Sequence, residues 1–332
     1  MLFDITYFTP RGYDFTEDFK DPNLRVYREI YDTLKKIGHE ISLLGIYNDL
    51  SVLWEEIRGN RPDVVFNLAD VFNNKSHLDK NIAALLEMME VVYTGASQSS
   101  LLLCNNKSLT KKILTYHRIK VPNFHVFYRD RKVWVPKPLK FPMIVKPLRE
   151  EASRGIAQVS FVDDEKSFLE RVKFVHESMN EDVIVEEYID GREFYVSLWG
   201  NKRIKVLPMR EMIFGKKPED EPRIATYMAK WNDAYRKKWG MRNVFAQNLP
   251  EGWEKKINTV CKRAYRALNM KCYARFDVRV TGAGEIYIIE ANANPNLEKD
   301  DEFAQSAKKV GISHEALVQK LIALALKRGF KT

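Results

Sequence analysis

The stretch YARFDVRVTGAGEIYIIEANANPNL, residues 273–297, decides the fold. Its first half alternates polar with apolar residues, and its second half is apolar until it ends in polar residues, which is typical of two β-strands. Glycines between the halves indicate a tight turn. With residues 281–284 as the loop, Val280 lies opposite Glu285, and the stretch is predicted to be an antiparallel hairpin.

Charged side chains stand at unusual places on this hairpin. In the register above, Arg275 faces Glu290, and Asp277 faces Ile288, one diagonal step from Glu290. Strand alternation then places four polar side chains on one face: Arg275, Asp277, Glu290 and Asn292. Carboxylate and amide oxygens favour Mg²⁺ or Mn²⁺ over Zn²⁺, so the sequence predicts a cation site. The alternative is a cross-strand ion pair of Arg275 with Glu290 and a solvated Asp277.

Composition sets the class of protein. The chain has 332 residues, of which 45% are hydrophobic and 30% are charged, as expected for a folded protein with two or three lobes. No apolar run approaches the roughly 20 residues of a membrane helix, and the opening MLFDITYF lacks the features of a signal peptide. The three cysteines and six histidines show no metal-ligand spacing, which argues against zinc. We expect a reducing, cytoplasmic location.

The net charge of +9 suits an anionic ligand, either a nucleotide or a nucleic acid. Lysines and arginines are spread along the chain, with no basic run and no aromatic-basic RNA signature. We therefore interpret the charge as a generally basic surface and do not expect nucleic-acid binding.

Residues 1–105 are predicted to form a Rossmann-like lobe with a small parallel sheet, because strand-like and helix-like segments alternate. The predicted strands cover residues 2–8, 40–46 and 63–68, and the predicted helices cover 24–37, 50–58 and 78–89. Neither GxGxxG nor GxxxxGK[ST] occurs in this half, so the lobe has no glycine-rich phosphate turn.

Residues 106–188 are predicted to form a separate small α+β lobe. Asn106 is the expected N-cap of a helix over residues 107–117. Farther along, an apolar strand delivers Lys146, and a polar loop that ends in Arg154 returns to a second strand. A lysine in this position can hold phosphate oxygens. The alternative is a surface hairpin with a solvated lysine.

The next segment, VIVEEYIDGREFYV (183–196), places adjacent carboxylates at the end of an apolar strand. Glu186 and Glu187 end that strand, and Glu193 heads the following one after a turn. A hinge between lobes would expose such a strand end to a cleft; the alternative is a solvated edge. Residues 189–332 are predicted to form the C-terminal lobe, with an irregular stretch at 209–250 that is typical of a functional loop or of a poorly ordered segment.

Six segments occur in the order and spacing of the ATP-grasp superfamily and resemble its D-alanine–D-alanine ligase-like branch. They are NKSLTKKIL (106–114), FPMIVKPLREEASRGI (141–156), VIVEEYIDGREFYV (183–196), YMAKW (227–231), ARFDVRV (274–280) and EANANPNL (290–297). The resemblance covers about residues 63–328. It implies an ATP-grasp fold of α/β and α+β lobes, with ATP between the central and C-terminal lobes.

The resemblance also implies roles for individual residues. Lysines at the positions of the family's phosphate contacts are Lys107, Lys146 and Lys230, the last on a mobile catalytic loop. Ser153 lies in the phosphate-covering loop, 150–155. Glu186 and Ile189 match the adenine hinge, and Glu193 matches the carboxylate that takes the ribose hydroxyls.

The hairpin residues match the family's metal and catalytic positions. Asp277, Glu290 and Asn292 correspond to ligands of two Mg²⁺ ions, for which Mn²⁺ can substitute, and Arg275 to the arginine that steadies the oxyanion and contacts substrate. Family enzymes phosphorylate a carboxylate to an acyl phosphate, which an amine then attacks to give an amide. Three lysines and two divalent ions would neutralise the triphosphate.

This chain departs from the D-alanine–D-alanine ligases where substrate is held. The small-lobe loop has Ala152 in place of the first serine of Gly-Ser-Ser, and residues 9–19 lack the glutamate-bearing motif. The predicted substrate side chains include Asn294, Asn296 and Asp301, in a run rich in acids where the family has Pro-Gly and a serine. These acids would repel a carboxylate and favour a cation; alternatively, they form the polar start of a helix over residues 303–310. D-alanine is therefore not the expected substrate.

Three functions are consistent with the sequence. The first is an ATP-dependent, ADP-forming ligase that joins small carboxylate and amine substrates. The second is an ATP-grasp enzyme that modifies a protein or peptide, and the third is a non-catalytic nucleotide-binding scaffold. Family members often form homodimers, and no membrane association is expected.

Overall fold

The computed structural model describes residues 1–149, 157–215, 223–226, 228–229 and 232–329. Its N-terminal part contains a parallel sheet with strand order β2-β1-β3, and the alternation of strands with helices confirms the predicted architecture. The strands are β1 (Leu2–Asp4), β2 (Leu44–Ile46) and β3 (Asn67–Leu68), and the helices are α1 (Arg25–Lys36), α2 (Ser51–Gly59), α3 (Asp79–Met88) and α4 (Gln98–Cys104).

The strands of this sheet are shorter than predicted. β1 ends at Asp4 rather than at residue 8, although the Ile5 N–H still bonds to the Ile46 carbonyl. Beyond that bond the chain leaves the sheet, and Tyr7 and Phe8 are 42% and 62% exposed. The apolar run therefore does not mark burial along its whole length.

A four-stranded antiparallel sheet forms the central part, with strand order β4-β7-β5-β6. Its strands are β4 (Phe124–Phe127), β5 (Met143–Pro147), β6 (Phe161–Val162) and β7 (Val183–Glu187). Helix α6 (Glu165–Ser178) covers one face, and its N-cap is Asp164, whose carboxylate accepts the Ser167 N–H at 2.7 Å. Alternate residues of β5 and β7 form the apolar core beneath the helix, so the other face is left for Lys146 and Glu186.

The C-terminal part is built on a larger antiparallel sheet with the path β11-β10-β8-β12-β13, and β9 pairs with β8. Its strands are β8 (Arg192–Trp199), β9 (Lys205–Val206), β10 (Arg210–Ile213), β11 (Arg242–Phe245), β12 (Tyr273–Val280) and β13 (Ile286–Ala293). The remaining helices are α5 (Lys107–Tyr116), α7 (Asp233–Trp239), α8 (Trp253–Ala267), α9 (Glu302–Lys309) and α10 (His314–Arg328).

The N-terminal and C-terminal parts share one hydrophobic core. Phe3, Ile30 and Leu34 of the former pack in the same buried cluster as Phe303 and Leu321 of the latter. Polar contacts reinforce this junction: the Arg328 guanidinium donates to the carbonyls of Tyr93 and Gly95, the Ser100 hydroxyl donates to the Asn269 carbonyl, and the Thr33 hydroxyl bonds to His314. These contacts fix one wall of the site relative to the other.

The turn between β7 and β8 requires glycine at position 191. Gly191 has φ +149°, and a Cβ there would lie 2.2 Å from the Val280 carbonyl oxygen. We expect Gly191→Ala to lower the free energy of unfolding by about 2–4 kcal/mol, since the backbone is strained and β12 must move. The urea denaturation midpoint measures this. Gly282→Ala, with no atom within 4 Å of its Cβ, is the control and should be close to neutral; equal midpoints for both variants would contradict this account of the turn.

Candidate nucleotide and metal site

The β12–β13 hairpin does not have the register predicted from its turn. Val280 pairs with Ile286 instead of Glu285, because the loop is one residue longer on that side. A second shift follows farther along, where Ile289 is an extra residue on β13 and forms a β-bulge. Each shift moves the pairing by one residue.

The bulge decides which side of the sheet carries the acidic residues. Asp277 pairs with Glu290, and Arg275 pairs with Asn292, so the predicted pairings of Arg275 with Glu290 and of Asp277 with Ile288 are wrong. The four polar side chains still share one face, because two one-residue shifts add up to an even number. Without the bulge, Glu290 would lie on the opposite face from Asp277.

Arg275 and Asp277 form an ion pair within one strand. The Arg275 Nε lies 2.8 Å from Asp277 Oδ1, which also accepts the Asn292 amide at 3.2 Å, and Asp277 is only 3% exposed. The alternative of an Arg275–Glu290 pair with a solvated Asp277 is therefore wrong. Burial alone would lower the pKa of Arg275, but Asp277 and Asp301 hold it above its usual range, so the guanidinium stays charged.

Lys107 stands beside the second carboxylate. It is the first residue of α5, whose N-cap Asn106 accepts the Leu109 N–H at 3.1 Å, as predicted. Its Nζ lies 3.8 Å from Glu290 Oε1, and its side chain is 9% exposed. A cation is thus placed next to the predicted metal ligands.

Lys146 and Glu186 lie on the face of the central sheet opposite α6, where they form a buried charge cluster. Lys146 Nζ is 3.0 Å from Glu186 Oε2, and Lys111 Nζ is 3.3 Å from Glu186 Oε1. Burial would raise the pKa of Glu186, but the two lysines hold it below its usual range; burial lowers the pKa of Lys111 to about 8. The alternatives of a solvated lysine and a solvated strand end are wrong for Lys146 and Glu186, which are 9% and 2% exposed.

Lys111 was not a predicted site residue. The sequence indicates it only by spacing: Lys111 comes one helical turn after Lys107 and therefore lies on the same side of α5. The next residue, Lys112, is exposed.

Glu193 and Ile189 are joined by an arginine that sequence reasoning also missed. The Arg279 guanidinium lies 2.8 Å from Glu193 Oε2 and donates to the Ile189 carbonyl at 2.7 Å. The Tyr195 hydroxyl donates to the other Glu193 oxygen at 3.3 Å. The signal was the continued alternation of β12, since Arg279 follows Arg275 on the same face. Glu193 is thus held in place beside the predicted adenine hinge.

A cavity of about 800 Å³ lies between the N-terminal and C-terminal parts. Five of the predicted residues line it: Arg275, Asn292, Asn294, Asn296 and Asp301. Lys107, Lys146 and the hinge residues Glu186, Ile189 and Glu193 are not among the described residues that line it. The predicted site therefore has two regions that meet at Arg275 and Asn292.

The acidic run lining this cavity is largely engaged by neighbours. Asp301 is the N-cap of α9 and accepts the Glu302 N–H, which confirms the alternative interpretation for that residue. Glu302 lies 2.6 Å from Arg210, and Asp300 lies 2.5 Å from Arg25. Burial raises the pKa of Glu302, against the pull of Arg210.

The two predicted asparagines in this run have different settings. Asn294 has φ +72°, and its Oδ1 accepts the Ala96 N–H at 2.7 Å, so it joins the two walls of the cavity. Asn296 Oδ1 accepts the Glu298 N–H at 3.1 Å.

Two predicted residues, Ser153 and Lys230, and the loop 150–155 lie outside the described residues. Within the described part of the chain, no group of three or more histidine, cysteine, aspartate or glutamate side chains could hold a metal ion. Asp277 and Glu290, which are paired across the hairpin, and Asn292 offer hard oxygen donors only. This set fits a divalent ion that takes its other ligands from phosphate oxygens and water. Across the same described ranges, no helix is long and apolar enough to cross a bilayer.

The chain is similar to known proteins over most of its length. A family model described as D-ala D-ala ligase C-terminus matches residues 113–323. An uncharacterized protein, y4sG, of Sinorhizobium fredii is 29% identical over 93% of this chain and 90% of its own length. The D-alanine–D-alanine ligase of Carboxydothermus hydrogenoformans is 27% identical over 92% of this chain and 94% of its own. A solved D-alanine–D-alanine ligase from Bacillus anthracis, complexed with ATP, has a TM-score of 0.74 at 22% identity and covers 98% of this chain and 97% of its own, which shows the shared fold.

Proposed function

This chain belongs to the D-ala D-ala ligase C-terminus family of ATP-grasp ligases, and we propose that it uses ATP to join a carboxylate to an amine through an acyl phosphate, on a substrate other than D-alanine. One observation carries the proposal: the bulged hairpin sets Asp277 opposite Glu290, with Arg275 opposite Asn292 on the same face. Lys107 stands 3.8 Å from Glu290. An ion pair alone would not require the second carboxylate and the amide on that face.

The charges of these residues suit a triphosphate. Lys107 and Lys146 bring ammonium groups from two different parts of the chain, and Glu186 holds the Lys146 ammonium at 3.0 Å. Asp277, Glu290 and Asn292 would hold Mg²⁺, which when bound neutralises phosphate charge. Positioning and electrostatic stabilisation are what phosphoryl transfer requires of a protein.

The hinge residues support binding of the adenine and ribose, at the opposite end of ATP from the triphosphate. Arg279 neutralises Glu193 and holds the Ile189 carbonyl at 2.7 Å, so both keep fixed positions without a ligand. A pre-organised pocket loses less entropy when the nucleotide binds. We assign adenine to the segment from Glu186 to Ile189 and the ribose to Glu193.

The reaction then proceeds in two steps. A carboxylate oxygen of the donor bonds to the γ-phosphorus while the bond to the bridging oxygen breaks and ADP leaves. The neutral amine nitrogen of the acceptor bonds to the acyl carbon, the acyl C–O bond breaks and phosphate leaves, and the nitrogen loses a proton to the released phosphate or to water. Arg275 is held by Asp277 and lines the cavity, so its guanidinium can stabilise the negative charge that develops on the acyl oxygen.

The cavity favours a substrate other than D-alanine. At the start of α9, Asp301 caps the helix, and the Glu302 carboxylate follows it. These side chains already occupy the positive end of the helix dipole, and Arg210 is engaged by Glu302, so this end of the cavity does not favour an acceptor carboxylate. We infer an acceptor that places no carboxylate at this end of the cavity.

The test is a substrate matrix. Purified protein with Mg-ATP is mixed with pairs of amino acids, other carboxylates, amines and amino-acid amides, and ADP release is followed, with mass spectrometry of the products. We expect ADP and an amide from at least one pair without D-alanine, and little from D-alanine alone. Efficient formation of D-alanyl-D-alanine would overturn the substrate proposal, and no ADP from any pair would count against ligase activity.

A further inference from the structure

Lys111 is a buried lysine that none of the proposed roles uses. It lies on the inner side of α5, and its residue is 2% exposed. Its Nζ lies 3.3 Å from Glu186 Oε1 on β7 and donates to the Ile289 carbonyl of β13 at 3.2 Å. One side chain thus connects a helix, the hinge strand and the strand with the metal ligands.

The carbonyl that Lys111 binds belongs to the bulge. Pairing on β13 passes from Ile288 to Glu290, and Ile289 is the extra residue between them. A bulged residue has no paired residue on the neighbouring strand, so its backbone N–H and carbonyl need other hydrogen-bond partners. Lys111 supplies a charged donor to this carbonyl, and charge-assisted hydrogen bonds are stronger than neutral ones.

A small cavity lies beside this contact. It has a volume of about 10 Å³ and lies between α5 and β13, lined in part by Lys107, Lys111, Ile289 and Glu290. Just before the bulge, the Ile288 N–H donates to the Lys120 carbonyl at 3.0 Å. The bulge is therefore held both just before the extra residue and at it.

We propose that Lys111 is a positioning residue that fixes the β-bulge at Ile289 and thereby holds Glu290 on the same face as Asp277. This inference rests on the proposed function, since it concerns metal binding at that site. Lys111 is also a positive charge near Glu290, but its positioning effect passes through the backbone of β13. Removing it should weaken the metal site more than the nucleotide contacts, because Lys146 still lies 3.0 Å from Glu186.

A different role for the same contacts is neutralisation of Glu186 in the core. That role is shared with Lys146, which lies 3.0 Å from the other Glu186 oxygen. A purely core role predicts a change in stability, whereas the positioning role predicts a change in metal affinity.

The test compares Lys111→Met with Lys112→Met, the exposed neighbour on the same helix. Calorimetry measures Mg²⁺ binding in the presence of ADP, and hydrogen exchange follows the peptide over residues 286–293. For Lys111→Met we expect metal affinity to fall by about 10–100-fold, as for partners that orient metal ligands, with faster exchange over β13. ADP affinity without metal should fall much less than metal affinity, since Glu186 keeps its contact with Lys146, and every property of Lys112→Met should stay unchanged.

Three results would overturn the proposal. The first is a folded Lys111→Met with wild-type metal affinity, and the second is an equal loss in Lys112→Met. If Lys111→Met does not fold, Lys111→Gln takes its place, and its metal affinity should fall by less than that expected for Lys111→Met, because its neutral donor still binds the Ile289 carbonyl, only more weakly. The third result is a chain that folds only with lysine at position 111, which would show that the residue is structural. Failure of the wild-type chain to bind Mg²⁺ with ADP would instead count against the proposed function.

Discussion

Replacement of Glu290 with glutamine is expected to lower the rate of ADP release by at least about a hundredfold, since a direct metal ligand matters at least as much as the residues that orient it. The carboxylate faces Asp277 across the hairpin, and the amide keeps the size of the side chain while losing its charge. The fold should persist, because removing one of two neighbouring carboxylates reduces repulsion. Steady-state kinetics at saturating Mg²⁺ and a thermal melt measure both effects.

The matched control for this variant is Glu285→Gln on the same hairpin. Glu285 is 45% exposed at its side chain and pairs with Lys120 on the surface. An exposed pair contributes little, so its loss should leave both activity and melting temperature nearly unchanged. A fully active Glu290→Gln enzyme would remove Glu290 from the metal site.

Replacement of Arg275 with lysine is expected to lower kcat by about 10²–10³-fold, the cost of losing an oxyanion donor. Lysine keeps the charge beside Asp277 but loses the planar fork that reaches both the carboxylate and the cavity. The KM for ATP should change little, because Arg275 lines the cavity and not the hinge. Measuring kcat and KM separately distinguishes the two contributions.

Arg266→Lys serves as the control, since Arg266 is exposed on α8 and is not among the described residues that line the cavity. Its kinetics should match those of the unmodified chain. Arg275→Lys with normal kcat and a raised KM for ATP would move Arg275 from oxyanion stabilisation to nucleotide binding.

The sequence predicted the right face of the hairpin from a wrong register. Alternation on β12 is a local property and was readable, so Arg275 and Asp277 were placed together. The loop length and the bulge at Ile289 depend on packing against α5, and the residue pattern of a single strand does not specify contacts with a distant helix. The two one-residue shifts add up to two, so the predicted face of Glu290 was correct although its predicted partner was wrong.

Buried ion pairs between distant segments were the largest omission. Lys111 with Glu186, and Arg279 with Glu193, join residues 75 and 86 positions apart (186 − 111 and 279 − 193), and neither partner's local pattern specifies the other. Charged side chains inside a protein require such partners, so they become visible only once the elements are assembled.

The irregular stretch at 209–250 was only partly a loop. It contains β10, α7 and β11, short elements whose many charged residues give no clear periodicity. The lobe boundaries at residues 105 and 188 stay predictions, and Leu114 of α5 packs in the same core as β12 of the C-terminal part.

Trapping of the acyl phosphate tests the central claim most directly. Purified protein, Mg-ATP and hydroxylamine are incubated with individual carboxylates, and hydroxamate and ADP are measured together. The account predicts at least one carboxylate that yields hydroxamate and ADP in equal amounts, and neither product from Glu290→Gln. ADP without hydroxamate for every carboxylate that stimulates the enzyme would contradict it.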